Sequence, residues 1–193
     1  MNTPVSPDEA RQALNLVENT TRQMRRALAY GGMPYFLIIW GLVWMLGFGA
    51  SHFLGADSAQ AGMVWMVLDI LGAIASFGVG AYLGRRVRSP QGASIALFWL
   101  AWMLYAALIV YFARPQNGNQ VSLLISLFAM MGYVSSGLLY RSRFLVALGL
   151  VVTAFIVIGY LAFPAFFNLW MAVLGGGSLI AAGVYILRAW REP

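Results

Sequence analysis

One carboxylate interrupts an otherwise apolar run: Asp69, within Met63-Val-Trp-Met-Val-Leu-Asp69-Ile-Leu-Gly72. An ionised carboxylate at membrane depth costs on the order of 2–3 kcal/mol or more, so such a group is expected to face water or a bundle interior. Counted along a helix, Asp69 lies roughly 10 Å inside the outer end of its run. Three residues later begins a row of small residues spaced four apart, Gly72, Ser76, Gly80 and Gly84. Small residues let helix backbones approach in lipid, so the row reads as a packing stripe, and Asp69 beside it is expected to point inward. No Lys, Arg or His lies at matching depth in another run, which leaves Ser122, Ser126, Thr153, Tyr133 and indole N–H groups as expected hydrogen-bond partners. Two chemistries fit: a protonatable or cation-attracting site in a transport path, and a neutral carboxyl tying two helices together.

Little other material for chemistry exists. His52 beside Phe53 reads as a polar tip at the headgroups, and its pairing with Asp57 in one loop is too loose for catalysis. The chain has no Cys, one His and six carboxylates, so disulfides, thiol catalysis and cysteine-ligated metals are excluded, and no metal or cofactor is expected. No nucleophile, base and orienter can be assembled, and the chain is not expected to be an enzyme. Gly175-Gly176-Gly177-Ser178 has the letters of a phosphate loop but lies in an apolar run, follows no strand and lacks a following Lys. Its expected role is to thin or bend a helix for close contact.

The elements that must hold these residues are membrane spans. Hydrophobic residues make up 61% of the chain and charged residues 9%, while apolar runs of spanning length recur. Six spans are expected at 34–54, 62–84, 94–113, 120–140, 144–163 and 167–189. Every basic side chain of the Lys/Arg class is Arg, which fits GC-rich coding and a bacterial source. Arg22, Arg25 and Arg26, then Arg85, Arg86 and Arg88, then Arg141 and Arg143, then Arg188 and Arg191 fall on one side, against Arg114 on the other. By the positive-inside rule both termini are cytoplasmic, in the inner membrane of a bacterium. Arginines at span ends suit anionic headgroups, and nucleic acid is not an expected partner.

Residues 1–33 are the sizeable polar segment. Ser6 as N-cap, Pro7 at the first helical position and Glu9 three residues after the serine form a helix start. Ala10, Leu14, Val17, Thr21, Met24 and Leu28 then recur at spacings of four and three, a narrow apolar seam. This predicts an amphipathic cytoplasmic helix that lies on the bilayer surface, or docks through residues 6–29 on a partner or on a second copy. Gly31 or Gly32 caps it and Pro34 opens the first span.

The fold class expected is therefore all-α: a polytopic bundle of six transmembrane helices, arranged as three antiparallel hairpins after an amphipathic helix. The hairpins read as an internal repeat of about fifty residues. Trp44-Met45-Leu46 recurs as Trp102-Met103-Leu104, and setting Trp65-Met66 on Trp170-Met171 superimposes Gly72 on Gly177. The small-residue pairs Gly132 with Ser136 and Gly177 with Ala181 suggest that the even helices meet in the core. The run Gly31-Gly32-Met33-Pro34-Tyr35-Phe36-Leu37-Ile38-Ile39-Trp40-Gly41-Leu42-Val43-Trp44 after a charged helix resembles small bacterial six-span inner-membrane proteins of unassigned function. The tripled hairpin is similar in layout to the HdeD-like membrane proteins. The resemblance implies a fold and no activity. On the residues, a non-catalytic regulatory or structural protein or complex subunit is expected, with a small transporter or channel using Asp69 as the alternative.

Overall fold

Gly32 and Gly55 bracket the first helix in left-handed backbone, with φ of 92° and 88°, a region open to a residue without Cβ. The Gly32 carbonyl accepts from the Tyr35 and Phe36 amides at 3.0 and 3.2 Å, and Pro34 occupies the first turn, where its missing N–H costs nothing. The helix between them is α1, Met33–Leu54. A computed structural model describes residues 32–86 and 92–189, with Asp8, Glu9, Arg11, Gln12, Asn15 and Leu16 before them. Those six are helical and exposed. The capping start at Ser6, the rest of the N-terminal seam, Arg25, Arg26 and Arg88 lie outside the described residues.

Five more helical rods follow: α2, Ala59–Arg86; α3, Gly92–Ala113; α4, Gly118–Leu139; α5, Arg143–Ala162; and α6, built from Phe167–Trp170, Met171–Gly176 and Gly177–Ala189 in succession. Each boundary falls within three residues of the expected span. The caps are local. Asn117 accepts from the Gln120 amide at 2.9 Å to start α4, and Ser142 accepts from the Leu145 amide at 3.5 Å to start α5. Between α4 and α5 the chain reverses in a tight turn. Ser142 N–H returns to the Gly137 carbonyl at 2.8 Å, which puts Arg141 in left-handed backbone at φ 50°.

The expectation that the even helices meet is overturned. α1 lies between α2 and α6, α5 packs on α6, α4 on α5, and α3 on α4. The cause is glycine fit. A Cβ on Gly41 would stand 2.9 Å from the Gly176 carbonyl oxygen, one on Gly176 would stand 2.7 Å from the Met45 amide, and one on Gly183 would stand 2.7 Å from the Pro34 carbonyl. α1 and α6 thus touch backbone to backbone. The wide turn Met171–Gly176 carries π-type hydrogen bonding and brings an extra residue into α6. It sets Gly176 against α1, whereas a Cβ on Gly177 would meet nothing. The expected thinning of α6 is real, displaced by one residue.

Each sequence hairpin is fastened by one indole. Trp65 of α2 covers Gly47 of α1 and donates its N–H to Ser51 Oγ at 2.9 Å. Trp102 of α3 lies over Gly132 of α4 and donates to the Phe128 carbonyl at 2.9 Å. Trp170 of α6 lies on Gly159 of α5 and donates to the Phe155 carbonyl at 2.8 Å. In each case the acceptor residue stands four positions from the glycine, one helical turn, so a flat ring can cover the bare backbone and still reach an oxygen. Trp65 and Trp170 play the same part, as the repeat register implies. In the middle hairpin the indole comes from the odd helix instead. Phe48 joins the units in the half nearer the α1–α2 link, edge-on to Trp44, Trp65 and Phe167 at centroid distances of 5.8, 5.1 and 6.3 Å.

Candidate functional site

Asp69 does not point into the bundle. Its side chain is exposed, on a flank of α2, and it makes no hydrogen bond or ion pair with any described residue. Several of the expected partners are engaged elsewhere or buried: Thr153 Oγ1 donates to the Gly149 carbonyl at 2.7 Å, Ser126 and Tyr133 are buried on α4, and three of the indoles are spent on the hairpins. The reason lies in how α2 is covered. It packs on α1 through Ala61, Trp65, Leu68 and Gly72, and Asp69 falls to one side of that line.

The small-residue stripe divides for the same reason. A row spaced four apart turns about 40° round the helix with each step, so it leaves a neighbouring helix after two turns. Gly72 is buried, with a Cβ there meeting Val43 at 3.0 Å. Ser76 is half-buried, its Oγ shielded and without a hydrogen-bond partner among the described residues. A Cβ on Gly80 would meet nothing, and the surroundings of Gly84 lie outside the described residues. Gly132 and Ser136 are buried, Gly132 beneath Trp99 and Trp102. Arg85, Arg141 and Arg143 are exposed at helix ends, and Arg86 is the last residue of α2.

Two polar ties at the other end of the bundle escaped the sequence. Asp57 Oδ1 accepts from the Gly118 amide at 2.6 Å, joining the α1–α2 link to the start of α4. A Cβ at 118 would collide with the Ala56 carbonyl, so glycine is required there. Buried Asn168 donates from Nδ2 to Asn119 Oδ1 at 2.8 Å, joining α6 to α4, while its own Oδ1 finds no donor among the described residues. The only hint was an amide at each span start. Asp57 and His52 do not share a loop as expected: His52 lies in the last turn of α1, its ring near Phe53 and Phe166 at 5.1 and 6.2 Å. Among the described residues no cluster of His, Asp and Glu could hold a metal ion.

Five of the six rods are long and apolar enough to cross a membrane, and in α3 the apolar part is Leu97–Ala113. The fold and the apolar helices together define a polytopic helical membrane protein. No protein-family model, curated protein or solved structure matches the chain.

Proposed function

We propose that the chain is a non-catalytic integral membrane protein, regulatory or structural or a subunit of a complex, whose residues 6–29 engage the bilayer surface or a partner. The observation that carries this reading is the placement of Asp69 outside the bundle. The buried polar side chains among the described residues are Ser51, Ser126, Ser136, Ser142 and Asn168, hydroxyls and one amide, which offer no charged line for a solute to follow. The arginines at 85, 141, 143 and 188 support cytoplasmic termini in a bacterial inner membrane. The likeness to six-span inner-membrane proteins and to the HdeD-like layout agrees with this and adds no activity.

The alternative, a small transporter or channel, keeps one observation in its favour: the Asp69 carboxylate has no partner among the described residues. Proton and cation flux into vesicles reconstituted with the full chain separates the two. The non-catalytic reading expects flux at the level of empty vesicles, unchanged by Asp69→Asn. Flux that the substitution abolishes overturns it. The absence of Cys allows a single Leu14→Cys variant with an environment-sensitive label to report whether the N-terminal seam enters the headgroup layer.

A further inference from the structure

α2 packs chiefly on α1, and α3 chiefly on α4. The open face of each carries one polar group at membrane depth. Asp69 lies ten residues from the outer end of α2 at Ala59, and Tyr105 lies eight from the outer end of α3 at Ala113. These are depths of about 15 and 12 Å, within side-chain reach of each other. Both side chains are exposed, and neither has a hydrogen-bond partner among the described residues.

We infer that this face of α2 receives α3 of a second copy of the chain, with the Tyr105 hydroxyl of one copy donating to the Asp69 carboxyl of the other. The two helices run in opposite directions, so pairing 69 with 105 fixes the register: Met66 falls opposite Leu108 and Gly62 opposite Phe112. Phe112 is 74% exposed, and a Cβ on Gly62 would meet nothing, so a large ring faces a bare stretch of backbone. Further along the same flank a Cβ on Gly80 also meets nothing. Small residues that admit close approach, with one polar pair between them, are what holds helices together in lipid. α2 supplies the acceptor and α3 the donor, and a twofold axis that brings α2 of each copy onto α3 of the other makes the contact twice and closes the assembly as a dimer.

A second copy answers Asp69 better than a cation from this chain could. His52 follows Ser51, which bonds Trp65, so it stands about one turn nearer the outer surface than Asp69. Arg114 lies outside the spans, and Arg85, Arg141, Arg143 and Arg188 lie at the opposite end. Tyr105 is an exposed donor at the right depth.

This inference rests on the reading of the chain as a non-catalytic subunit, and its test reads a different quantity from flux. Full chains carrying only Met66→Cys are mixed with full chains carrying only Leu108→Cys in phosphatidylcholine–phosphatidylglycerol vesicles and oxidised with copper phenanthroline. The expected result is a covalent dimer from the mixture, well above that from either variant alone. Gly62→Leu or Gly80→Leu, which leave the isolated fold undisturbed, remove it. Tyr105→Phe or Asp69→Leu weakens dimerisation in a lipid-dilution series by roughly three- to tenfold. A chain that stays monomeric at every lipid ratio, a dimer indifferent to all four substitutions, or a Met66–Leu108 bond forming only within single double-cysteine chains overturns the inference. Asp69-dependent flux with the dimer intact would instead overturn the functional reading alone.

Discussion

The indole of Trp170 rests on the bare backbone of Gly159, and its N–H donates to the Phe155 carbonyl at 2.8 Å, one turn earlier on α5. Phe163 stacks on the same ring at 5.0 Å, so the indole is held by ring contacts and a hydrogen bond at once. A β-carbon at 159 would stand 2.5 Å from Trp170 Cδ1. Gly159→Leu therefore has to expel the ring, at a cost of about 1–3 kcal/mol by overpacking. The expected outcome is a clearly lower unfolding midpoint in dodecyl maltoside. Trp170→Phe, which keeps ring packing and loses the N–H, costs less, about 1 kcal/mol. Equal midpoints for Gly159→Leu and the parent would count against the arrangement.

Neighbouring glycines in α6 are expected to behave oppositely. Gly176→Leu drives a side chain into the Met45 amide and the Gly41 carbonyl, backbone that cannot move aside, so the α1–α6 contact opens and the variant is expected to elute earlier and more broadly than the parent in size-exclusion chromatography. Gly177→Leu, one residue on, meets open space and is expected to elute as the parent does. A protein equally tolerant at both positions would show that the wide turn does not set the register.

The amide pair across α4 and α6 calls for a double-mutant cycle. Asn119→Leu leaves the 93%-buried Asn168 amide without its acceptor, and a stranded buried polar group costs about 1–3 kcal/mol. Replacing both residues by Leu is expected to recover much of that loss, since two matched apolar groups leave nothing unpaired. Additive losses in thermal unfolding would show that the two amides do not act as a pair.

Arg141 holds φ 50° in the turn between α4 and α5, where a residue with Cβ pays a penalty of about 1 kcal/mol or more. Arg141→Gly removes that penalty and is expected to raise the unfolding midpoint by a few degrees. Arg143 keeps a positive charge on the same link, so topology should not change. A lowered midpoint would mean that the arginine side chain contributes more to the fold than its backbone strain removes.

The polar interruptions were legible one residue at a time, but their destinations were not. Asp69 was identifiable as the acid inside a span, and Gly72 as a contact residue, because both follow from composition along one helix. That Asp69 faces outward depended on the number of helices packing against α2. Asp57 and Gly118 stand 61 residues apart, and nothing in either residue announces the other. Gly175-Gly176-Gly177 signalled close approach, yet the extra residue in the turn decided which of the three makes it.

The chain by itself determined the number of helical rods, their ends, their caps and the gathering of arginines at alternate links. Those follow from hydrogen bonds within one segment and from the hydropathy of twenty-residue runs, both local quantities. Only the tertiary structure decided that α1 pairs with α6 and that α2 keeps an open face. In lipid every side of a helix is apolar, so hydropathy cannot say which side turns inward, and partners are chosen by the fit of rings and backbone over bare glycines.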